Sequence, residues 1–389
     1  MKRLLILLPD IWSMKKYQGM PSIHNFLIVA TERFDCVIFT TDENNVEVDY
    51  PNAKVYKFKK FTTKSSNRYV QYLCGRLNFI SINCKYYYKS ISLRLSPDII
   101  YCSSSLPVLS TRILKIFYTS KSVHRIYGTF LHENISSVFD KIKKYEEYLS
   151  FFLDADKYII TNDGTKGDLV AEKFSIPKSN IEFLMNGVDF KPHVSSNIME
   201  ELRNTFKIPK EHLVAISVSR LSSWKRVDRI IKAFNFLENV PISLIVVGDG
   251  PQREEWEELK TNKNINFSGS LLGYEVNSIM RSADIFISMY DYSNVGNPLL
   301  EALTFGLPII TVSSGGTIDI ITHDQNGLII DYSQDENHMV INLKSNIEYL
   351  VFDSEKREEL SRKAVEFAKE NILDWNSRIK LEVDIIDLL

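Results

Sequence analysis

The chain has 389 residues, 44% of them hydrophobic, 12% aromatic and 25% charged, with a formal net charge of −2. That length exceeds one ordinary hydrophobic core and predicts two domains, and the composition is that of a soluble globular protein. The four cysteines (Cys36, Cys74, Cys84, Cys102) lack Cys-x-x-Cys spacing and the seven histidines lack metal-ligand spacing, so reduced thiols, no bound metal and a cytoplasmic setting are expected.

Two basic residues, Lys2 and Arg3, follow Met1, but only five apolar residues, Leu4 to Leu8, then precede Pro9. That run is too short for a signal peptide or a membrane span, and a buried first strand is expected instead. Further short strands are expected at Cys36–Thr40, Ile99–Cys102, Ser122–Ile126 and Lys157–Thr161, with helical stretches between them, as a parallel sheet requires. His124 reads most simply as an inward-facing residue of its strand. From Pro51 to Arg125 there are 14 basic residues and one acid, Asp98, interleaved with Tyr56, Phe58, Phe61, Tyr69, Tyr72, Phe79, Tyr86, Tyr87 and Tyr88. Such a stretch suits an anionic membrane surface or a phosphate-bearing partner, or else a solvated basic face with aromatics packed beneath it. Nucleic acid would require the same charge, but no nucleic-acid partner is expected. The imbalance is part of a wider one: residues 1–190 hold 26 Lys and Arg against 19 Asp and Glu, and the remainder 21 against 30.

Residues 191–210 are polar, contain Pro192 and Pro209 and lack periodicity, so they are expected to link a domain of residues 1–190 to one of residues 211–372. The second half repeats the alternation, with strands at Val214–Val218, Ser243–Val247, Ile265–Ser268, Ile285–Met289 and Pro308–Val312. Two Rossmann-like α/β domains follow, with a cleft between them. Ligands of such sheets bind at the carboxyl ends of strands, so the loops there are the candidate sites.

Three such loops come first. Val218–Arg226 carries Arg220 and Lys225 five positions apart, two cations able to clamp adjacent phosphates or simply to solvate a surface. Gly248-Asp249-Gly250-Pro251 ends another strand. It is not Gly-x-Gly-x-x-Gly, and the two glycines read as turn formers ahead of direct phosphate ligands. Gly269 ends a third strand, within Asn266–Leu271, where backbone groups are able to read the edge of a base. The most informative stretch is Ser288–Gly316. Within it Asn297 is an N-cap candidate, Pro298 suits the first helical position, and Gly306 ends the helix before a buried strand and a Ser-Ser-Gly-Gly loop. A helix N-terminus of this kind cradles anions, and Glu301 adds a carboxylate suited to a ribose.

Together these pieces resemble the retaining family-4 glycosyltransferases of the GT-B fold (glycosyl transferases group 1), most strongly from Val218 to Leu328. Arg220 and Lys225 match that family's Arg-x4-Lys diphosphate clamp, and Gly248, Gly250 and Pro251 its Gly-x-Gly-Pro turn. Glu301 matches the second member of its Glu-x7-Glu motif, the ribose ligand. The first member falls on Ser293, a departure that Asp291 is one candidate to replace. A subgroup with Ser-Asn-x-Gly-Asn-Pro here is matched by Ser293, Asn294, Gly296, Asn297 and Pro298, with Leu299 next. By the same resemblance Tyr17–Ser22, with Gly19, is the glycine loop over the donor pyrophosphate. Arg125, Tyr127, Gly128 and Thr129 are the mid-domain loop facing the reacting sugar, and residues 373–389 form a helix crossing back to the first domain.

The resemblance implies a metal-independent, retaining hexosyltransferase. Its donor would be a UDP- or GDP-linked sugar and its acceptor a glycan or a polyprenyl-diphosphate-linked glycan. The product would be a surface polysaccharide (lipopolysaccharide, capsule or exopolysaccharide), made by a cytoplasmic protein with peripheral contact at the inner face of the plasma membrane. Two other readings use the same architecture: a nucleotide-sugar epimerase or hydrolase, and a non-catalytic scaffold that binds a partner enzyme. An NAD-dependent oxidoreductase fits less well, because no Gly-x-Gly-x-x-Gly with a later ribose acid is present.

Overall fold

The computed structural model describes residues 1–14, 20–42, 50, 52–65, 67–132, 138–190, 197–292 and 295–389. The chain forms two units. The first comprises Met1–Asn162, Lys166–Met185 and Trp375–Leu389, and the second Asp163–Thr165 and Asn186–Asp374.

The first unit is built on strands β1 (Arg3–Leu7), β2 (Asp35–Thr41), β3 (Ala53–Phe58), β4 (Ile99–Ser103), β5 (Lys121–Ile126), β6 (Lys157–Thr161) and β7 (Ile181–Leu184). They pair in parallel in the order β3-β2-β1-β4-β5-β6-β7. Successive side chains of a strand point to opposite faces, so a strand covered on both faces must be apolar throughout. β1 meets that demand. Leu4 and Ile6 pack with Phe26 and Leu27 of helix Pro21–Arg33 and with Ile379 and Val383 of helix Trp375–Asp387. Leu5 and Leu7 pack on the other face with Ile82 and Tyr86 of helix Arg68–Ser92 and Leu114 of helix Val108–Tyr118.

The second unit has strands β8 (Leu213–Val218), β9 (Ile242–Val247), β10 (Ile265–Gly269), β11 (Ile285–Ser288), β12 (Ile309–Val312) and β13 (Leu328–Ile330). All are parallel, in the order β10-β9-β8-β11-β12-β13. In each sheet the chain runs outward from a central strand, then returns to that strand's other side. In the second unit the reversal falls between β8 and β11, so the loops leaving these two strands flank the crevice that such a sheet presents to ligands.

Three strands lie outside the sequence expectations. β3 alternates lysines with apolar residues at one sheet edge, β7 has four half-buried residues at the opposite edge, and β13 is three residues long. Edge and very short strands lack the continuous apolar run that marks a central one. The expected linker is also corrected. Residues 191–196 lie outside the described residues, but Ile198–Phe206 is a helix of the second unit with Met199 buried. Its apolar positions, Ile198, Met199, Leu202 and Phe206, keep the spacing of one helical face, but over little more than two turns inside a polar segment they are too few to stand out. Asn186–Phe190 also belong to the second unit, where Val188 N–H donates to Leu373 O.

Candidate functional site

The turn after β8 is locked against the turn after β9. Ser219 N–H donates to Val247 O and Leu221 N–H to Asp249 O at 2.9 Å. Gly248 has φ +130°, and a Cβ there would overlap the Ser219 carbonyl; one on Gly250 would overlap the Leu221 backbone. These two glycines are therefore required by the close approach of two loops as well as by the turn. Gly269, at φ +73°, accepts from Gly248 N–H at 2.9 Å. The three glycines thus join the ends of β8, β9 and β10.

On this base sit the two cations. Arg220 is exposed, while Lys225 ends a short 3-10 turn, Ser223–Lys225, and is largely withdrawn from water. Its ammonium lies 3.9 Å from the centre of the Trp224 ring and 3.7 Å from that of Tyr290, and it makes no ion pair among the described residues. Desolvation pushes its pKa down to about 7, opposed only by the charge of Asp163. Aromatic faces stabilise a cation less than a carboxylate does. An anion brought to this position would meet a positive charge that no ion pair among the described residues already neutralises.

After β11 the chain enters helix Asn297–Phe305. The N-cap is Gly296, not Asn297, and no side chain caps the helix. Asn297 is withdrawn from capping because its Oδ1 accepts from Asn186 Nδ2 at 2.7 Å. The first-turn N–H groups are left without a side-chain acceptor, the condition for anion binding at a helix N-terminus. Pro298 occupies the first turn, Leu299 is buried, and Gly306 closes the helix at φ +72°. Glu301 makes no hydrogen bond or ion pair among the described residues. Desolvation first, and then the charge of Asp189, push its carboxyl up to about 7. Ser293 and Asn294 lie outside the described residues, as does Gly19.

Asp291 is not available to replace the missing first glutamate. Its carboxylate pairs with Arg229 Nη1 at 2.8 Å and Arg226 Nη1 at 3.3 Å, and its N–H donates to Trp224 O at 3.0 Å. Glu336 completes the cluster at 2.7 Å from Arg226 and 2.8 Å from Arg229, and hydrogen bonds from Arg229 hold its carboxyl down at about 2. Sequence reasoning missed this network. The visible signal was Arg226 and Arg229 three apart at a helix start, while their acidic partners come from a distant loop (Asp291) and from the start of a distant helix (Glu336).

In the first unit the loop after β5 divides. Arg125, expected to face the reacting sugar, is instead 1% exposed. Its guanidinium donates to Ile126 O, Ile159 O and Thr161 Oγ1 and pairs with Glu382 at 3.3 Å. A strand residue of a two-faced sheet points into one helical layer, and here that layer supplies a buried carboxylate. His124 also faces inward, its Nδ1 3.0 Å from Ser150 O and its pKa lowered to about 4 by burial. Tyr127, Gly128 and Thr129 line a cavity of about 170 Å³ with Ser104, Ser105 and Glu147. Tyr127 OH lies 2.9 Å from Ser103 Oγ, and Thr129 Oγ1 donates to Glu147 at 3.2 Å. Among the described residues no three His, Cys, Asp or Glu are grouped to hold a metal ion.

Residues 198–367 match the family described as glycosyl transferases group 1. The chain is 26% identical over 324 residues to the sulfoquinovosyl transferase SQD2 of Arabidopsis thaliana, covering 76% of this chain and 57% of that protein. It is 31% identical over 135 residues to the alpha-monoglucosyldiacylglycerol synthase of Acholeplasma laidlawii, covering 32% and 34%. The chain thus spans between a third and a little over half the length of these curated relatives. Among solved structures, Anabaena Alr3699/HepE in complex with UDP-glucose superposes with a TM-score of 0.72 at 16% identity, over 99% of this chain and all of that one. That likeness identifies the fold as GT-B. The matched residues 198–367 include Arg220, Lys225, the three glycines and the Gly296–Glu301 turn, and over them the chain is similar to the glycosyl transferases group 1 family.

Proposed function

We propose that the chain transfers a hexosyl group from a UDP- or GDP-linked donor, with retention of anomeric configuration, to a glycan or polyprenyl-diphosphate-linked acceptor in surface polysaccharide synthesis. The observation that carries this reading is the presence, at the β8/β11 reversal, of an ammonium with no ion pair among the described residues and a helix start with no side-chain cap. Both features leave positive potential unused in the free protein, and a nucleotide diphosphate would use both. The nucleotide sugar bound in the Anabaena structure supports the donor class.

In this reading Arg220 and Lys225 neutralise the diphosphate, the N–H groups of Gly296 and Asn297 at the start of the Gly296–Leu299 turn bind it, and Glu301 accepts from the ribose hydroxyls. The bond from the anomeric carbon to the β-phosphate oxygen breaks and a bond to the acceptor oxygen forms on the same face. The acceptor's proton passes to the departing phosphate oxygen, so no protein nucleophile is required. Charge on the leaving diphosphate is carried by the cations and the helix N-terminus rather than by a metal. Removing one such preorganised group costs about 10²–10³ in rate. Tyr127, Gly128 and Thr129 adjoin the acceptor side, and the setting is cytoplasmic, peripheral to the inner face of the plasma membrane.

The test is turnover of UDP- and GDP-sugars by Lys225→Ala and Glu301→Ala, with folding checked by thermal melting. Loss of transfer in folded variants supports the site, and undiminished transfer in both overturns it. Release of free sugar without acceptor would instead identify a hydrolase.

A further inference from the structure

Helix Arg68–Ser92 runs 25 residues, and one face of it packs inward through Phe79, Ile82, Asn83, Tyr86 and Ser90. Another face is apolar and bare. Tyr69, Leu73, Leu77, Ile80, Cys84 and Tyr88 recur at spacings of three and four, so they form one stripe along about 29 Å of helix. All six are exposed, Tyr69 at 78%, Leu77 and Ile80 at 58% and Tyr88 at 74%. No charged residue interrupts the stripe. Helix Val108–Tyr118, packed alongside, adds Ile113, Ile116 and Phe117, also exposed, with the Phe117 ring meeting Tyr87 edge-on at 6.4 Å. Proteins in solution rarely leave an apolar surface of this extent uncovered.

We infer that this face docks on an anionic lipid bilayer, the helix lying in the interface with its apolar stripe immersed among the acyl chains. The charge around the stripe selects the occupant. Residues 51–125 hold 14 basic residues against one acid. Beside the stripe, Lys85 lies over the Phe61 ring and Lys89 over the Tyr56 ring, each packing its stem while carrying a cation. A second copy seated on the same face by a twofold axis would bring this cationic stretch against itself, so self-association is disfavoured. A bilayer rich in acidic lipid satisfies both the apolar stripe and its basic border. The aromatics of the stretch divide accordingly: Tyr56, Phe58, Phe79 and Tyr86 pack inward, and Phe61, Tyr69, Tyr72 and Tyr88 remain at the surface. Among the described residues no helix is long and apolar enough to cross a membrane, so the contact is peripheral.

This rests on the peripheral setting proposed above and assigns it a surface, and its test uses neither donor nor acceptor, so the transferase reading and the docking face can each fail alone. The full chain is floated with vesicles of phosphatidylcholine mixed with phosphatidylglycerol, and with phosphatidylcholine alone. Binding to the mixed vesicles only, weakening as salt is raised, is expected. Leu77→Asp and Ile80→Asp, both at exposed positions, should keep the melting temperature and each weaken binding about tenfold. A polarity-sensitive dye on Cys84, with Cys74→Ser to leave it the accessible thiol, should shift to the blue when mixed vesicles are added. Equal binding by the aspartate variants, absence of binding at low salt, or a dye insensitive to vesicles overturns the proposal. So does a self-associated species in sedimentation that Leu77→Asp dissociates, since a second copy would then own the face.

Discussion

The ammonium of Lys225 rests 3.7 Å from the centre of the Tyr290 ring, joining the turn after β8 to the loop after β11. Tyr290 is itself anchored, its hydroxyl donating to Val218 O at 2.8 Å. A charge that a diphosphate would need is thus held in place before any ligand arrives, at the expense of its own hydration.

That arrangement predicts proton uptake on donor binding. With a pKa of about 7, Lys225 is mostly neutral at pH 8 in the free protein. A diphosphate beside it would restore the charge, so binding at pH 8 should take up close to ~1 proton. Calorimetry in buffers of different ionisation enthalpy measures this. Lys225→Arg, which stays charged, should abolish the uptake. An uptake unchanged in that variant would assign the proton to another group.

Glu301 titrates with the opposite sign. The unfolded carboxyl ionises near 4.5 and the folded one near 7. The folded chain therefore holds a proton that the unfolded chain has lost, and stability from this group falls as pH rises from 4.5 to 7. Above that window the ionised, half-buried carboxylate is a standing cost. Glu301→Gln should stabilise the chain by about 1–3 kcal/mol at pH 8 and change little at pH 4.5, while weakening donor binding. Melting curves at the two pH values decide it.

Gly248 and Gly296 should respond differently to alanine. At Gly248 the new Cβ would overlap the Ser219 carbonyl at a φ of +130°, so Gly248→Ala should cost about 3 kcal/mol or more. At Gly296 the nearest atom to a Cβ, Pro298 Cδ, is 3.7 Å away and φ is −88°. Gly296→Ala should therefore fold normally and reveal any role in donor binding through KM alone. Chemical denaturation and steady-state kinetics separate the two.

Arg125 should behave as a structural residue. It and Glu382 are each 1% exposed, and Glu382 also accepts from Tyr101 at 2.6 Å and Arg378 at 2.9 Å. Arg125→Ala would leave this carboxylate under-compensated and should cost about 3–5 kcal/mol. The folded fraction should keep a kcat near that of the parent chain. A stable variant with collapsed kcat would return Arg125 to the reacting sugar.

Local signals carried the framework. Continuous apolar runs at Leu4–Leu8 and, within the expected strand Ser243–Val247, at Leu244–Val247 announced two-faced parallel strands, because a strand covered on both sides has few polar positions. Strands β3, β7 and β13 escaped, since an edge or a three-residue strand is not forced to be apolar. The same limit applied to the helix Ile198–Phe206, taken for linker because its single buried face leaves a polar majority.

By itself, then, the sequence determined two doubly wound α/β units, the glycine turns at Gly248 and Gly250, and the candidate cations and carboxylate of the second unit. These follow from periodicity and from backbone demands that only particular residues meet. Tertiary structure decided which polar groups are already engaged. It paired Arg125 with Glu382, gave Asp291 to Arg226 and Arg229, drew Asn297 from its cap to Asn186, and left Lys225 and Glu301 without an ion pair among the described residues. Whether a charge is satisfied depends on what distant segments bring within about 4 Å of it, and residue spacing along the chain does not encode that distance.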